Sequence, residues 1–339
     1  MASYKKVHGI NIKSYDEDPD RTYPSSAEGQ LYYSASDGQI KFLGIGSGAW
    51  ASGGNMNTAR TYFSGSGSLT AGLAIAGLIN GGTPMAARTV GFVESYDGSS
   101  WTEVGDVNQA RIHGGSSGTS TSSLVTGGVS YEPGSATLLS VNESWNGSSW
   151  TEVGDLNTGR HELGMSGTST AALGSAGYAP PGVAKGEVES WNGSAWTETT
   201  DVNTARNYAF GLGTSSSDGV ISGGDPNRNV VEQYDGSSWT EVSEINTGRQ
   251  HGSSSGSATS GIIFAGYHPN GLSVTESWNG SSWTEVADLS TSRYGLGGST
   301  NGTSALGLGF GGFPGPIGNN ATEEWTVPES NLTLASTTA

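Results

Sequence analysis

ESWNGSSWTEV, residues 143–153, returns four more times with small edits: ESYDGSSWTEV from Glu94, ESWNGSAWTET from Glu189, EQYDGSSWTEV from Glu232 and ESWNGSSWTEV from Glu276. The spacing around it is strict. An arginine follows the second aromatic position by ten residues, giving Trp101/Arg111, Trp150/Arg160, Trp196/Arg206, Trp239/Arg249 and Trp283/Arg293. A sixth case, Trp50/Arg60, lies in GAWASGGNMNTAR. The arginines step by 51, 49, 46, 43 and 44 residues, a period that belongs to propeller blades or helical arrays. No long 3.6-residue apolar pattern is present, so a helical array is excluded.

Each unit reads as four short strands. After Arg111, IHGGSSG is a small-residue strand a, SLVTGGVS an apolar strand b, LLSVNESW strand c and WTEVGD strand d. Asn-Gly and Asp-Gly are the favoured pairs for two-residue hairpin turns, because both central positions take positive φ. Turn chemistry therefore explains WNGSSW and YDGSSW, and the Asn-Gly-Ser sequons with them. The ends complement each other. The last unit has strands a, b and c (YGLGGST, SALGLGFGG, ATEEWTV) and no strand d, whereas the chain's first unit opens on a spare strand d, GAWASGG. The expectation is an all-β fold: a six-bladed β-propeller over 47–327, its sixth blade completed by residues 48–54, with no open sheet edge. Residues 1–46 form an N-terminal arm, with a hairpin around Ser36-Asp37-Gly38, and 328–339 a C-terminal tail.

The composition agrees. Of 339 residues 56 are glycine, with much Ser and Thr, while ten Trp and 13 Tyr exceed what a disordered chain carries. The formal net charge of −17 repels nucleic acid and anionic lipid. There is no cysteine, hence no disulfide or thiol chemistry. No apolar run reaches membrane-spanning length, and MASYKKVHGINIKSYDEDPD lacks an apolar signal core. The expectation is synthesis in a cytoplasm and release by lysis.

The Gly pairs at 127–128, 223–224 and 311–312, each followed by an aromatic and a Trp, resemble kelch-repeat β-propellers. AGLING, AGYAPP and AGYHPN depart from the pair in the other blades. The near-identical copies and WASGGNMNTAR look like kelch-like virion proteins of tailed bacteriophages, and EGQLYYSASDGQIKFLGIGSGAW is similar to hairpin modules near the starts of phage tail and fibre proteins. The resemblance implies a non-enzymatic, tail-associated or fibre-like structural protein on the virion surface. Its arm, holding five of the chain's 14 basic residues, would dock on other virion proteins in a symmetric multi-copy assembly. Its propeller would bind a host surface glycan or protein. The alternatives are a capsid or collar decoration protein without a receptor, and a polysaccharide depolymerase or sialidase-like glycosidase.

Three residue sets carry the site expectations. The strand-c acids Glu94, Glu143, Glu189, Glu232, Glu276 and Glu323 and the arginines Arg60, Arg111, Arg160, Arg206, Arg249 and Arg293 are repeated, so they are read as structural pairs that pin blade to blade. Next to the arginines, Tyr62, His113, His161, Tyr208, His251 and Tyr294 are read as the rim of the central channel. The b–c loops are where copying stops. Tyr131, Tyr178, Tyr267, His268, Phe313, Arg88, Lys185 and Arg228 lie there and are read as ligand-binding, because varied aromatic loops on a rigid scaffold suit recognition. No catalytic residue, metal or cofactor is expected. The three histidines sit in different blades, one carboxylate per blade does not build a calcium site, and the acidic run Asp16–Asp20 reads as a solvated loop. SYDGSSW is one residue short of a sialidase Asp-box, and no lone carboxylate pair for glycoside hydrolysis stands apart from the repeated acids.

Overall fold

The computed structural model describes residues 3–7, 10–15, 31–34, 39–45, 47–79, 88–132, 135–226, 229–313 and 318–333. The chain divides into two compact units, Ala49–Thr326 and a second made of Met1–Gly48 with Val327–Ala339. All the regular elements described are strands.

Ala49–Thr326 is a six-bladed β-propeller. In blade 2 the antiparallel order is Gly115–Thr119 (a), Ser122–Thr126 (b), Asn142–Trp145 (c) and Trp150–Val153 (d). Blades 1, 3, 4 and 5 repeat it, with strand c at Thr89–Tyr96, Val188–Trp191, Val231–Tyr234 and Thr275–Trp278. In blade 6, Thr322–Thr326 pairs with Ala49–Ser52 in the register Glu323↔Ser52, Glu324↔Ala51, Trp325↔Trp50 and Thr326↔Ala49. The propeller's first strand thus finishes its last sheet.

The sequence dictates each hairpin. Asn146 Oδ1 accepts hydrogen bonds from the backbone N–H of Ser148 and Ser149 (2.9 and 3.0 Å), and Gly147 sits at φ 91°, where a side chain would be strained. Asp97 Oδ1 makes the same two bonds at 2.8 Å each, so the turn is indifferent to Asn or Asp. It sets two aromatics opposite each other across strands c and d, their rings tilted, and the closure of blade 6 does the same without a turn. Trp145 pairs with Trp150 at 5.3 Å between ring centroids, and Trp50 with Trp325 at 5.5 Å.

The core lies between blades. Leu73, Ile75 and Val93 of blade 1 pack on Val125, Trp145 and Trp150 of blade 2, and Phe210 and Val231 of blade 4 pack on Ile263, Trp278 and Trp283 of blade 5. Such interfaces exclude water only when the next sheet comes close. Strand a is therefore rich in small residues. A Cβ on Gly211 would lie 2.1 Å from the Met165 carbonyl of the neighbouring blade.

In the second unit the strands run in the order Ser3–Val7, Ile10–Tyr15, Leu31–Ser34, Gln39–Ile45 and Glu329–Thr333. Leu31–Ser34 and Gln39–Ile45 are the arms of the expected hairpin, Ser34 opposite Gln39. The turn residues Ser36, Asp37 and Gly38, and the run Asp16–Asp20, lie outside the described residues. The tail does not stand apart. Glu329 pairs with Ile45 and Thr333 with Lys41, so Glu329–Thr333 joins the sheet of the arm's strands.

Candidate functional site

All twelve repeated Arg and Glu side chains are buried. Arg60, Arg160 and Arg249 meet Glu94, Glu189 and Glu276 at 2.9, 3.0 and 2.9 Å, and Arg111–Glu143, Arg206–Glu232 and Arg293–Glu323 are paired in the same way. The guanidinium also donates to carbonyls of its own blade: Arg111 Nη1 to Gly127 O (3.0 Å) and Val141 O (2.9 Å). Its main-chain carbonyl accepts from a glycine N–H of the preceding blade, at 2.8–2.9 Å for Gly77→Arg111, Gly128→Arg160, Gly177→Arg206, Gly224→Arg249, Gly266→Arg293 and Gly312→Arg60. The last of these bonds crosses the closure. Burial pulls every one of these guanidinium groups below its ordinary value, opposed by its carboxylate. The six pairs thus close within a blade, whereas the expectation was that they pin one blade to the next; the arginine main-chain carbonyls make that link instead.

Two residues beyond each arginine the backbone turns left-handed, with φ between 54° and 62° at Tyr62, His113, Glu162, Tyr208, His251 and Gly295. Their main chains close a cycle. His113 N donates to Tyr62 O, Glu162 to His113, Tyr208 to Glu162, His251 to Tyr208, Gly295 to His251 and Tyr62 to Gly295, at 2.7–3.3 Å. The ring therefore holds Glu162 and Gly295 where the sequence pointed to His161 and Tyr294, which sit one residue earlier. Its side chains fill the axis: Tyr208 and His251 centroids are 3.5 Å apart, Tyr62 and His113 4.4 Å, and His113 and His251, three blades apart, 6.2 Å. Beneath them the channel keeps a cavity of about 100 Å³. Among the described residues no three His, Asp or Glu converge as a metal's ligands would.

Glu162 is the polar centre of this ring. Its Oε2 accepts from Asn207 Nδ2 (2.7 Å), its Oε1 lies 2.8 Å from His161 Nδ1, and the Tyr208 hydroxyl bonds it as well. Burial pushes its carboxyl up, but the hydrogen bonds of its partners, His161 foremost, outweigh it and hold it below the usual range. Burial drives His113 and His251 down to about 3, and raises Tyr62 to about 12 and Tyr208 further.

A pH dependence follows. The two histidines stay neutral in the fold but take up protons when unfolded, near their ordinary value of about 6.5. Stability is then full above that value and falls as the pH drops toward 3, by up to about 1.4 kcal/mol per pH unit for each histidine. Glu162, with its depressed carboxyl, adds loss in the same direction. Urea midpoints at pH 7 and pH 5 are expected to differ, and His251→Phe to flatten the difference; equal midpoints would contradict this.

Above the ring the b–c connections of blades 2 and 3 fold into small hairpins, Val129–Glu132 with Ser135–Leu138 and Tyr178–Ala179 with Val183–Ala184. They wall a pocket of about 560 Å³, with Tyr131, Leu138, Tyr178, Pro180 and Pro181 on the sides and His113, His161, Glu162 and Tyr208 at the base. The Tyr178 hydroxyl donates to Gly182 O (2.8 Å), which fixes its ring. Tyr131 and Tyr178 thus share one site with three of the expected rim residues. Tyr267 and Phe313 do not join it. They pack on Tyr294, at 5.0 and 4.8 Å. His268 is exposed on blade 5. Arg88 donates to Ile79 O within blade 1 (3.2 Å), and Lys185 Nζ lies 3.7 Å from Glu187. Arg228 lies outside the described residues. Glu162 was missed from the sequence. The constant offset of two from each arginine marks it.

No protein-family model matches the chain, and no curated protein does either.

Proposed function

We propose that the chain is a non-enzymatic structural protein of a tailed-phage virion, its propeller binding a host surface glycan through the blade 2–3 pocket. The observation that carries the binding reading is that pocket itself. It is a concave, largely apolar site of ligand size with three tyrosines and a few convergent polar groups, built where an otherwise copied frame departs from its repeat. Tyrosine faces cover the apolar faces of sugar rings, and the carboxylate and imidazoles take hydroxyl hydrogen bonds. Among the described lining residues Glu162 is the one carboxylate, whereas glycoside hydrolysis uses two; this favours binding over cleavage. The kelch-like and phage-like sequence features support the virion assignment. The basic N-terminal segment is the part proposed to dock on other virion proteins, and display in many copies turns weak single-site affinity into avidity.

The test is retention of the full chain on host cell-surface polysaccharide. The Tyr131→Ala/Tyr178→Ala double variant is expected to bind at least tenfold more weakly with an unchanged melting temperature. Equal retention would refute the pocket. Imaging the particle with this chain located on the capsid lattice, away from the tail, would refute the attachment role.

A further inference from the structure

The frame accounts for every buried glutamate in the propeller except one. Seven are buried among the described residues, Glu94, Glu143, Glu162, Glu189, Glu232, Glu276 and Glu323. Six of them face an arginine. Glu162, its side chain 3% exposed, has His161 as its one basic partner, and no Lys or Arg is among the described residues lining the pocket above it. Hydrogen bonds from Asn207 and Tyr208 hold the carboxylate in its charged form, and among the described residues no arginine or lysine neutralises it there. The ring position does not require it, since Tyr, His and Gly serve there in the other blades.

We propose that the pocket recognises a positively charged ammonium group, with Glu162 as its counter-ion and the Tyr131, Tyr178 and Tyr208 rings as its cage. The geometry suits that chemistry. Aromatic faces attract cations through their quadrupole, more strongly when water is excluded, and the anion lies at the base of the same aromatic walls. Burial keeps His113 neutral at the base, so it leaves the carboxylate's charge uncancelled. Asp225 is close enough to Tyr208 to add to the negative field, and the chain's net charge of −17 raises the local concentration of cations. The ligand class is a small organic ammonium: an amino sugar with its amine free, or a choline-type headgroup. An N-acetylated sugar lacks the charge. This deepens the glycan reading and rests on it for the amino-sugar source.

Calorimetric titration of the full chain with glucosamine, N-acetylglucosamine and choline, below the amine's pKa, tests it. Glucosamine or choline is expected to bind at least tenfold more tightly than N-acetylglucosamine, and Glu162→Gln to erase the difference. Should Glu162→Gln fail to fold, Tyr178→Ala takes its place, with loss of ammonium binding expected. Equal binding of glucosamine and N-acetylglucosamine overturns the ammonium inference and leaves glycan binding standing. So does retention on host polysaccharide with no response to either amine. Choline bound with no sugar bound keeps the inference and removes the glycan reading. If none binds and the host polysaccharide does not retain the chain, both fall.

Discussion

A chain that begins at Gly53 and ends at Thr326 is expected not to fold, whereas one that spans Ala49–Thr326 is expected to keep a cooperative melting transition. The two differ by four residues. Those four form the whole outer strand of blade 6. Without them Thr322–Thr326 becomes an open, unpaired edge. Trp325, 1% exposed, loses the Trp50 ring that packs on it, and Phe264 of blade 5 loses its edge contact with Trp50 at 4.9 Å. The bond from Trp50 Nε1 to Thr275 Oγ1 (2.9 Å) also goes, and with it a tie between blades 5 and 6. Trp50 is half-buried, so its loss costs somewhat less than the roughly 3–5 kcal/mol of a fully buried aromatic; each lost hydrogen bond, the strand's ladder included, adds about 1 kcal/mol. Together they rival the whole stability of an ordinary domain, about 5–15 kcal/mol. Soluble yield and circular-dichroism melting of the two chains decide it. A cooperative melt from the Gly53 chain would mean that the ring does not depend on its closure.

That closure was legible in the sequence because it is written in mismatched ends: a spare Trp50 before the first strand a and a missing Trp after ATEEWTV. The blade count was legible because each Trp fixes an arginine ten residues on. The pocket was not legible as a unit. Tyr131 and Tyr178 come from adjacent blades and converge, while Tyr267 turns to Tyr294, and nothing local in the chain states which loops lean together. Glu162 was hidden for another reason. Reading the varied pair after each arginine by residue type selects His161, but the physical constraint is the backbone: the left-handed residue is always the second one, whatever its side chain. The tail strand Glu329–Thr333 escaped because its partner, Gln39–Ile45, lies nearly the whole chain away and ESNLT carries no trace of the repeat.

The second large effect separates frame from site. Glu232→Gln is expected to destabilise the propeller by roughly 3–5 kcal/mol, because it leaves the buried Arg206 charge uncompensated. Glu232→Ala is expected to be worse still. The carboxylate also accepts from Asn203 N (2.7 Å), Asn203 Nδ2 (2.8 Å) and Thr204 N (3.1 Å), which hold the connection entering blade 4, and each stranded donor adds a desolvation penalty. Arg206→Met is milder, since Glu232 keeps those three donors. The same order is expected at Arg111–Glu143 and Arg249–Glu276, where the acids hold equivalent donors. Glu162→Gln should cost much less. No arginine depends on that charge, so what is lost is the strength of the bonds from Asn207 Nδ2 and the Tyr208 hydroxyl, about 1 kcal/mol each. Denaturant midpoints of the Glu232→Gln and Glu162→Gln variants give the answer. A similar large loss in both would return Glu162 to the frame and leave the ammonium pocket without its anchor.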